Sequence, residues 1–295
     1  MKDSVIVRVP ASTSNLGPGF DTLGLALGLY NFVRVSRVAG RGLDLVSPIS
    51  EAARGGAVAM IREAARAFFA ATRRRELALD VHLSGDVPVA RGLGSSVTVR
   101  LGVVAGLNQL TGGKLSRQAI LEIVSGLEHH PDNAAPALFG GFCVAGMTGD
   151  QVSCLKFPVS SRAKFVALVP RFEVSTEKAR RLVPKRFSKA DTIHNLNRAA
   201  LLSAGFASGK LAALRGLFED RVHQPYRQKL IPALGRVIAA GERAGAIGGW
   251  LSGSGSTIIC LALENPEAVG RAMKKQLPDS EIRILRADND GMVIR

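Results

Sequence analysis

The sequence predicts an α+β fold in two units, residues 1–157 and 158–295, and three observations predict it. Residues 4–10, 31–38 and 77–83 alternate apolar and polar side chains, the period of a strand with one buried face. Residues 57–71 carry instead an apolar stripe of helical period. After Pro158 the order becomes strand, helices, two strands, helix and strand, which is that of a ferredoxin-like layer.

In the first unit, helices are expected at 95–111 and 116–129, the second opened by Ser116, whose hydroxyl suits an N-cap. Strand patterns follow at 141–147 and 152–157. The second unit starts with a strand at 164–169, continues with helices at 175–183, 189–206, 208–220 and 228–244, and returns to a strand at 246–252. Residues 257–263 are a nearly unbroken apolar run, as expected of a strand buried on both faces. A helix at 266–276 and strands at 281–287 and 292–294 complete the pattern. No glycine-serine linker separates the units, so the boundary rests on the change of pattern alone.

A hydrophobic content of 46% with 21% charged residues describes a globular chain able to bury a core. No window holds ~18 uninterrupted apolar residues, and the first residues lack the basic, apolar and small pattern of a secretory signal. The expected location is the cytoplasm. Cys143, Cys154 and Cys260 show no paired spacing, which argues against a zinc knuckle or a disulfide framework and predicts buried, reduced thiols. The formal charge of +15 would attract a polyanion. The basic residues are nevertheless scattered, and aromatics at 5% are too few for a base-stacking platform, so no nucleic-acid partner is expected.

Three loops carry the chemistry. The first, Pro10-Ala-Ser-Thr-Ser-Asn15-Leu-Gly-Pro-Gly-Phe-Asp21, follows a strand and sets small, polar and turn residues where a ligand can meet them. Asn15 both donates and accepts, and Asp21 suits an ammonium group. The second comprises Pro88, Val89, Ala90, Arg91, Gly92, Leu93, Gly94, Ser95, Ser96, Val97 and Thr98, a glycine turn feeding a helix. Such a turn points backbone N–H groups inward, and the helix's free amides and dipole add positive potential: a phosphate cradle. The third, Gly248-Gly-Trp-Leu-Ser252-Gly-Ser-Gly255-Ser-Thr257, brings backbone close to a ligand.

A further stretch, Glu128-His129-His130-Pro-Asp-Asn133, ends a helix. Its adjacent histidines point in different directions and lack a second ligand pair at helical spacing, so zinc is not expected. Glu128 or Glu122 could supply the oxygen that a phosphate-bound Mg2+ takes from the protein. The chain has no Gly-Lys-Ser/Thr ending to its glycine loop, and neither His-Arg-Asp nor Asp-Phe-Gly, which disfavours a P-loop or protein-kinase reading.

In this order, the loops resemble the three motifs of the GHMP small-molecule kinases, and their detail resembles the homoserine kinase family among them. The Asn15-to-Asp21 stretch and His130-Pro-Asp-Asn133 are the specific parts, and Gly92-Leu-Gly-Ser-Ser96 marks the superfamily. Similarity continues through Ser175-Thr-Glu-Lys-Ala-Arg180, His223-Gln-Pro-Tyr-Arg227 and Ser252-Gly-Ser-Gly255. The resemblance implies a two-domain GHMP kinase fold, with an N-terminal ribosomal-protein-S5-like α/β unit and a C-terminal ferredoxin-like layer.

It further implies Mg2+- and ATP-dependent phosphorylation of the hydroxyl of L-homoserine, a step of threonine biosynthesis, by a homodimer. Asn15, Asp21, His130, Asn133, Thr176, Arg180 and Arg227 are the implied homoserine-binding set. Asn15, Asp21 and His130 lie nearest the chemistry, with Asp21 an orienter and a candidate proton acceptor. Residues 88–98 would wrap the phosphates, and Ser96 with Glu128 or Glu122 would hold Mg2+. The alternatives are a kinase of this superfamily for threonine, shikimate or a mevalonate-type acid, and a catalytically weak nucleotide- or nucleic-acid-binding protein. Two departures stand out: Val97, Thr98, Val99 and Arg100 occupy positions where the family has tiny residues, and Ser256 one where proline is common. The first implies tighter helix packing or a cation near the phosphates.

Overall fold

The computed structural model describes residues 3–40, 42–47 and 51–295, the side chains of 51–53 excepted. Among the described residues, strand β1 (Ser4–Ser14) pairs antiparallel with β2 (Leu23–Arg37), and the register shifts between Pro10 and Ala11. Proline has no N–H to give a ladder, so the irregularity falls where the sequence cannot sustain regular pairing. Long β2 then serves two neighbours. Its far half pairs with β4 (Leu79–Gly85), which takes the short β3 (Leu43–Leu45) in parallel. Its first residues pair with β5 (Phe142–Thr148), and β6 (Gln151–Phe157) follows as a hairpin.

Helices α1 (Glu51–Thr72), α2 (Ser95–Leu110), α3 (Arg117–Glu128) and α4 (Ala134–Phe139) cover one face of this sheet. The layer is sealed by Val7, Val33, Val35, Phe68, Leu101 and Leu121, all buried. Ser116 caps α3 as expected, its hydroxyl accepting from the Ala119 N–H at 3.1 Å.

The second sheet has the order β10-β7-β9-β8, built from β7 (Lys164–Pro170), β8 (Gly248–Leu251), β9 (Ile258–Ala262) and β10 (Ser280–Leu285). This is the ferredoxin-like arrangement that the element order predicts. Between β7 and β8 lie α5 (Thr176–Arg181), α6 (Lys189–Ala207), α7 (Gln224–Arg227) and α8 (Leu234–Arg243), and α9 (Pro266–Gln276) precedes β10. Alternation along β7 divides its side chains: Phe165, Ala167 and Val169 face the core shared with the first unit, and Val166 and Leu168 face α8 and α9. Strand β9 divides likewise, which explains why residues 257–263 read as continuously apolar.

The shared core joins the units. Trp250 is fully buried, stacks on Phe218 at 5.0 Å and donates its indole N–H to Thr13 Oγ1 of β1 at 2.9 Å. The last strand, β11 (Val293–Ile294), leaves the second sheet and pairs with β1, so the chain's final residues sit in the first sheet. Residues 208–220, expected as a helix, form a single 3-10 turn at Leu211–Leu214. Gly209 and Gly216 flank it at positive φ and interrupt helical hydrogen bonding. Cys143 and Cys260 are buried as expected, whereas Cys154 is half-buried.

Candidate active site

The glycine turn is a curled loop at the mouth of α2. Ala90, Gly92 and Gly94 all have positive φ, and no acidic side chain occupies the first turn of the helix. Gly92 is required twice over, by its φ of 75° and because a Cβ there would overlap the Ser252 carbonyl oxygen. Neighbouring loops hold the curl: Ser12 N–H donates to Leu93 O at 3.2 Å, Thr257 N–H to Arg91 O at 3.1 Å, and Ser252 Oγ–H to Gly92 O at 2.6 Å. Two positions expected in this cradle are committed elsewhere. Val97 is buried in the core, and Thr98 spends its hydroxyl between the Ser95 carbonyl and Asn31 Nδ2 and its N–H on Gly94 O. Both belong to the helix's inward face.

Ser96 and Glu128 are brought together. Ser96 Oγ donates to Glu128 Oε2 at 3.2 Å, and Arg100 Nη1 donates to Glu128 Oε1 at 2.5 Å. The hydroxyl and carboxylate are oxygen donors of the kind and number that Mg2+ takes when phosphate and water fill its remaining positions. Glu122 is not part of this group. It lies nearly two turns earlier on α3 and accepts from Gln118 at 2.9 Å.

The remaining predicted residues gather beside this cradle. Asp21, at φ 54°, accepts two bonds from Arg180, at 2.7 and 3.1 Å, in a fork-to-carboxylate pair. Asn15 orients that acid's backbone, its Oδ1 accepting from Asp21 N–H at 3.1 Å while its Nδ2 donates to Gly253 O at 3.2 Å. Arg227 Nη1 donates to the same carbonyl at 2.9 Å. Burial, and next the charge of Arg180, lower the Arg227 pKa to about 10. Asn133 is fixed by Ser12 and Ser14, each at 2.9 Å. Thr176 Oγ1 lies 3.1 Å from Ser254 Oγ.

His130 Nδ1 sits 2.5 Å from Asp132 Oδ1, and both groups are buried. Burial opposes charge on each, but the pair overrides it: Asp132 raises His130 above the ordinary histidine value, and the imidazole holds Asp132 below the usual carboxylate range. Asp21, His130 and Asp132 bring one potential ligand atom each within 4.8 Å of one another. Two of the three are already bonded to each other and the third to Arg180, so the group stands as a charge-balanced polar cluster.

Four further residues shape this site, three of them (Phe20, Asp132 and His223) inside the motifs above but given no role there. Asp132 holds His130. Phe20 lies under the guanidinium groups of Arg180 and Arg227, at 5.6 and 5.1 Å, and stacks on His223 at 5.1 Å. Asp220 accepts from the N–H groups of Val222, His223 and Gln224 and so builds the turn that presents Arg227. His223 donates from Nε2 to Gly17 O at 2.8 Å and accepts from Arg227 at 3.3 Å through Nδ1. A carboxylate directly after the His-Pro pair was the one available signal for Asp132; the others depend on distant partners.

The family model for the GHMP kinases N terminal domain matches residues 59–141, and that for the GHMP kinases C terminal matches residues 199–279. Homoserine kinase from Clostridium botulinum (strain Alaska E43 / Type E3) is 38% identical over 293 residues, covering 98% of this chain and 97% of its own. Homoserine kinase from Clostridium beijerinckii is 39% identical over 295 residues, covering 98% of each. The crystal structure of homoserine kinase from Cytophaga hutchinsonii superposes with a TM-score of 0.88 at 26% identity, covering 100% of this chain and 98% of the other. The chain belongs to the GHMP kinases and, within them, to the homoserine kinase family.

Proposed function

We propose that this enzyme transfers the γ-phosphoryl group of ATP to the side-chain hydroxyl of L-homoserine, giving ADP and O-phospho-L-homoserine. The observation that carries the reading is the Gly253 carbonyl. It accepts from both Asn15 and Arg227, and its neighbour Ser252 bonds Gly92, so phosphate loop and amino-acid pocket share one wall. In this assignment the backbone of residues 88–96 cradles the phosphates, aided by the N-terminus of α2. Asp21 receives the substrate's ammonium group, and Arg180 and Arg227 receive its carboxylate. A substrate bearing both charges can replace the internal Asp21–Arg180 pair with two new ones, which a neutral alcohol cannot do. Asn15, Asn133 and Thr176 complete the pocket with neutral hydrogen-bonding groups. His130, its Nδ1 fixed on Asp132, keeps Nε2 for the reacting end of the substrate.

With its carboxylate given to the substrate's ammonium group, Asp21 serves as an orienter, and no strong base is assigned. Phosphoryl transfer asks the protein chiefly for positioning and charge neutralisation. Ser96 and Glu128 would hold Mg2+, which supplies charge neutralisation to the phosphate oxygens when bound. The division at 157/158, a cytoplasmic location and a homodimer belong to the same proposal; light scattering decides the last.

Kinetics separate the two halves of the site. Arg180→Ala is expected to raise KM for homoserine by about tenfold or more with KM for ATP little changed, while Ser96→Ala lowers kcat by about 10–100-fold. The opposite pattern would exchange the roles given to these residues.

A further inference from the structure

The second turn of α2 carries a cation that the chemistry above does not use. Arg100 follows Ser96 by four residues, so the two side chains stand on one face of the helix. Its Nη1 donates to Glu128 Oε1 at 2.5 Å and its Nη2 to Glu63 Oε2 of α1 at 2.6 Å, while its Nε is buried without a partner. The Arg100 side chain is 15% exposed and that of Glu128 10%, so their charges act on each other with little screening from bulk water. Glu128 has two oxygens: one accepts from Arg100 and the other from Ser96. One carboxylate therefore serves a fixed cation and the metal-ligand pair together.

We propose that Arg100 sets the affinity of the Ser96–Glu128 site for its divalent cation, holding it weaker than these two ligands would give without the guanidinium. The inference rests on the assignment of Ser96 and Glu128 as the protein's metal ligands. Two effects act in the same direction: the guanidinium occupies one carboxylate oxygen and offsets its charge, and it repels a dication at the other oxygen. Its bond to Glu63 anchors it there, so α1, α2 and α3 jointly hold Glu128 turned toward Ser96. Arg100 is thus a positioning residue with an electrostatic cost to metal binding. Such a site suits a metal that arrives and leaves on the nucleotide's phosphates rather than one that resides in the protein.

The test is a titration of Mn2+ into the enzyme with saturating ADP, followed by the electron paramagnetic resonance signal of free Mn2+. Neutral Arg100→Met and Arg100→Gln should both bind Mn2+ about three- to tenfold more tightly than the parent, and Arg100→Lys, which keeps the charge and loses the fork, should stay within about twofold. If Arg100→Met destabilises the fold, Arg100→Gln alone gives the answer. Glu128→Gln should weaken Mn2+ binding by about tenfold or more. Neutral variants that bind no more tightly than the parent would overturn the role of Arg100 while leaving the ligand assignment intact. Arg100→Lys tightening as much as Arg100→Met would also overturn it. Unchanged Mn2+ binding by Glu128→Gln would remove the ligand assignment itself and the inference with it.

Discussion

His223 is a histidine kept neutral by its surroundings. Burial lowers its pKa to about 4, the Arg227 guanidinium adds to the effect, and Asp220 opposes it. The unfolded chain then binds more protons than the folded one between the ordinary value of 6.5 and about 4. Stability from this group is complete above about pH 6.5 and is lost as pH falls through that window. His130 has the reverse sign: its raised pKa gives stability that is present below the ordinary value and lost as pH rises through the folded one. Thermal stability should therefore peak near the ordinary histidine pKa. His223→Gln, which retains an N–H for Gly17 O, should flatten the acid side of a Tm-against-pH curve. A fall on that side as steep as the parent's would refute the account of His223. In the sequence, His223 read only as part of a motif, because its burial comes from Phe20 and Gly17, some two hundred residues earlier.

At the scale of elements, the site depends on turns held at positive φ, and Gly92 shows the dependence most sharply. Gly92→Ala must place a Cβ against the Ser252 carbonyl in a left-handed backbone conformation. It should cost about 1–3 kcal/mol of stability and raise KM for ATP. Unchanged Tm and ATP affinity would show that the curl is not needed. Glycine spacing made this turn legible in the sequence, and Ser116 made the start of α3 legible. Strand β2 was legible only from Asn31 onward. Its first residues, Leu23 to Leu27, are buried on both faces and interrupted by Gly24, so they carry no alternation. The 3-10 turn at Leu211–Leu214 resembles a longer helix in sequence because its apolar residues have helical spacing, while the flanking glycines decide the backbone.

At the scale of the whole molecule, the second sheet and the first meet over one core, and the residues proposed to bind substrate come from both sides of that junction. Asn15 and Asp21 follow β1, His130 and Asn133 lie between α3 and α4, and Thr176, Arg180 and Arg227 come from α5 and α7 of the second unit. The element order revealed the ferredoxin-like layer, and local motifs contained most of the residues that gather in the candidate site. What joins them, Trp250 to Thr13 and Ser252 to Gly92, lies in pairings across the fold that no single stretch of sequence announces. The proposed site favours a zwitterion, since Asp21 would reward an ammonium group and the two arginines a carboxylate. The most direct test is ADP release measured with homoserine, threonine, shikimate and mevalonate as acceptors at saturating ATP and Mg2+. Homoserine should give kcat/KM at least about tenfold above shikimate and mevalonate, which lack the ammonium group; equal turnover of shikimate or mevalonate, or none with homoserine, would contradict the account.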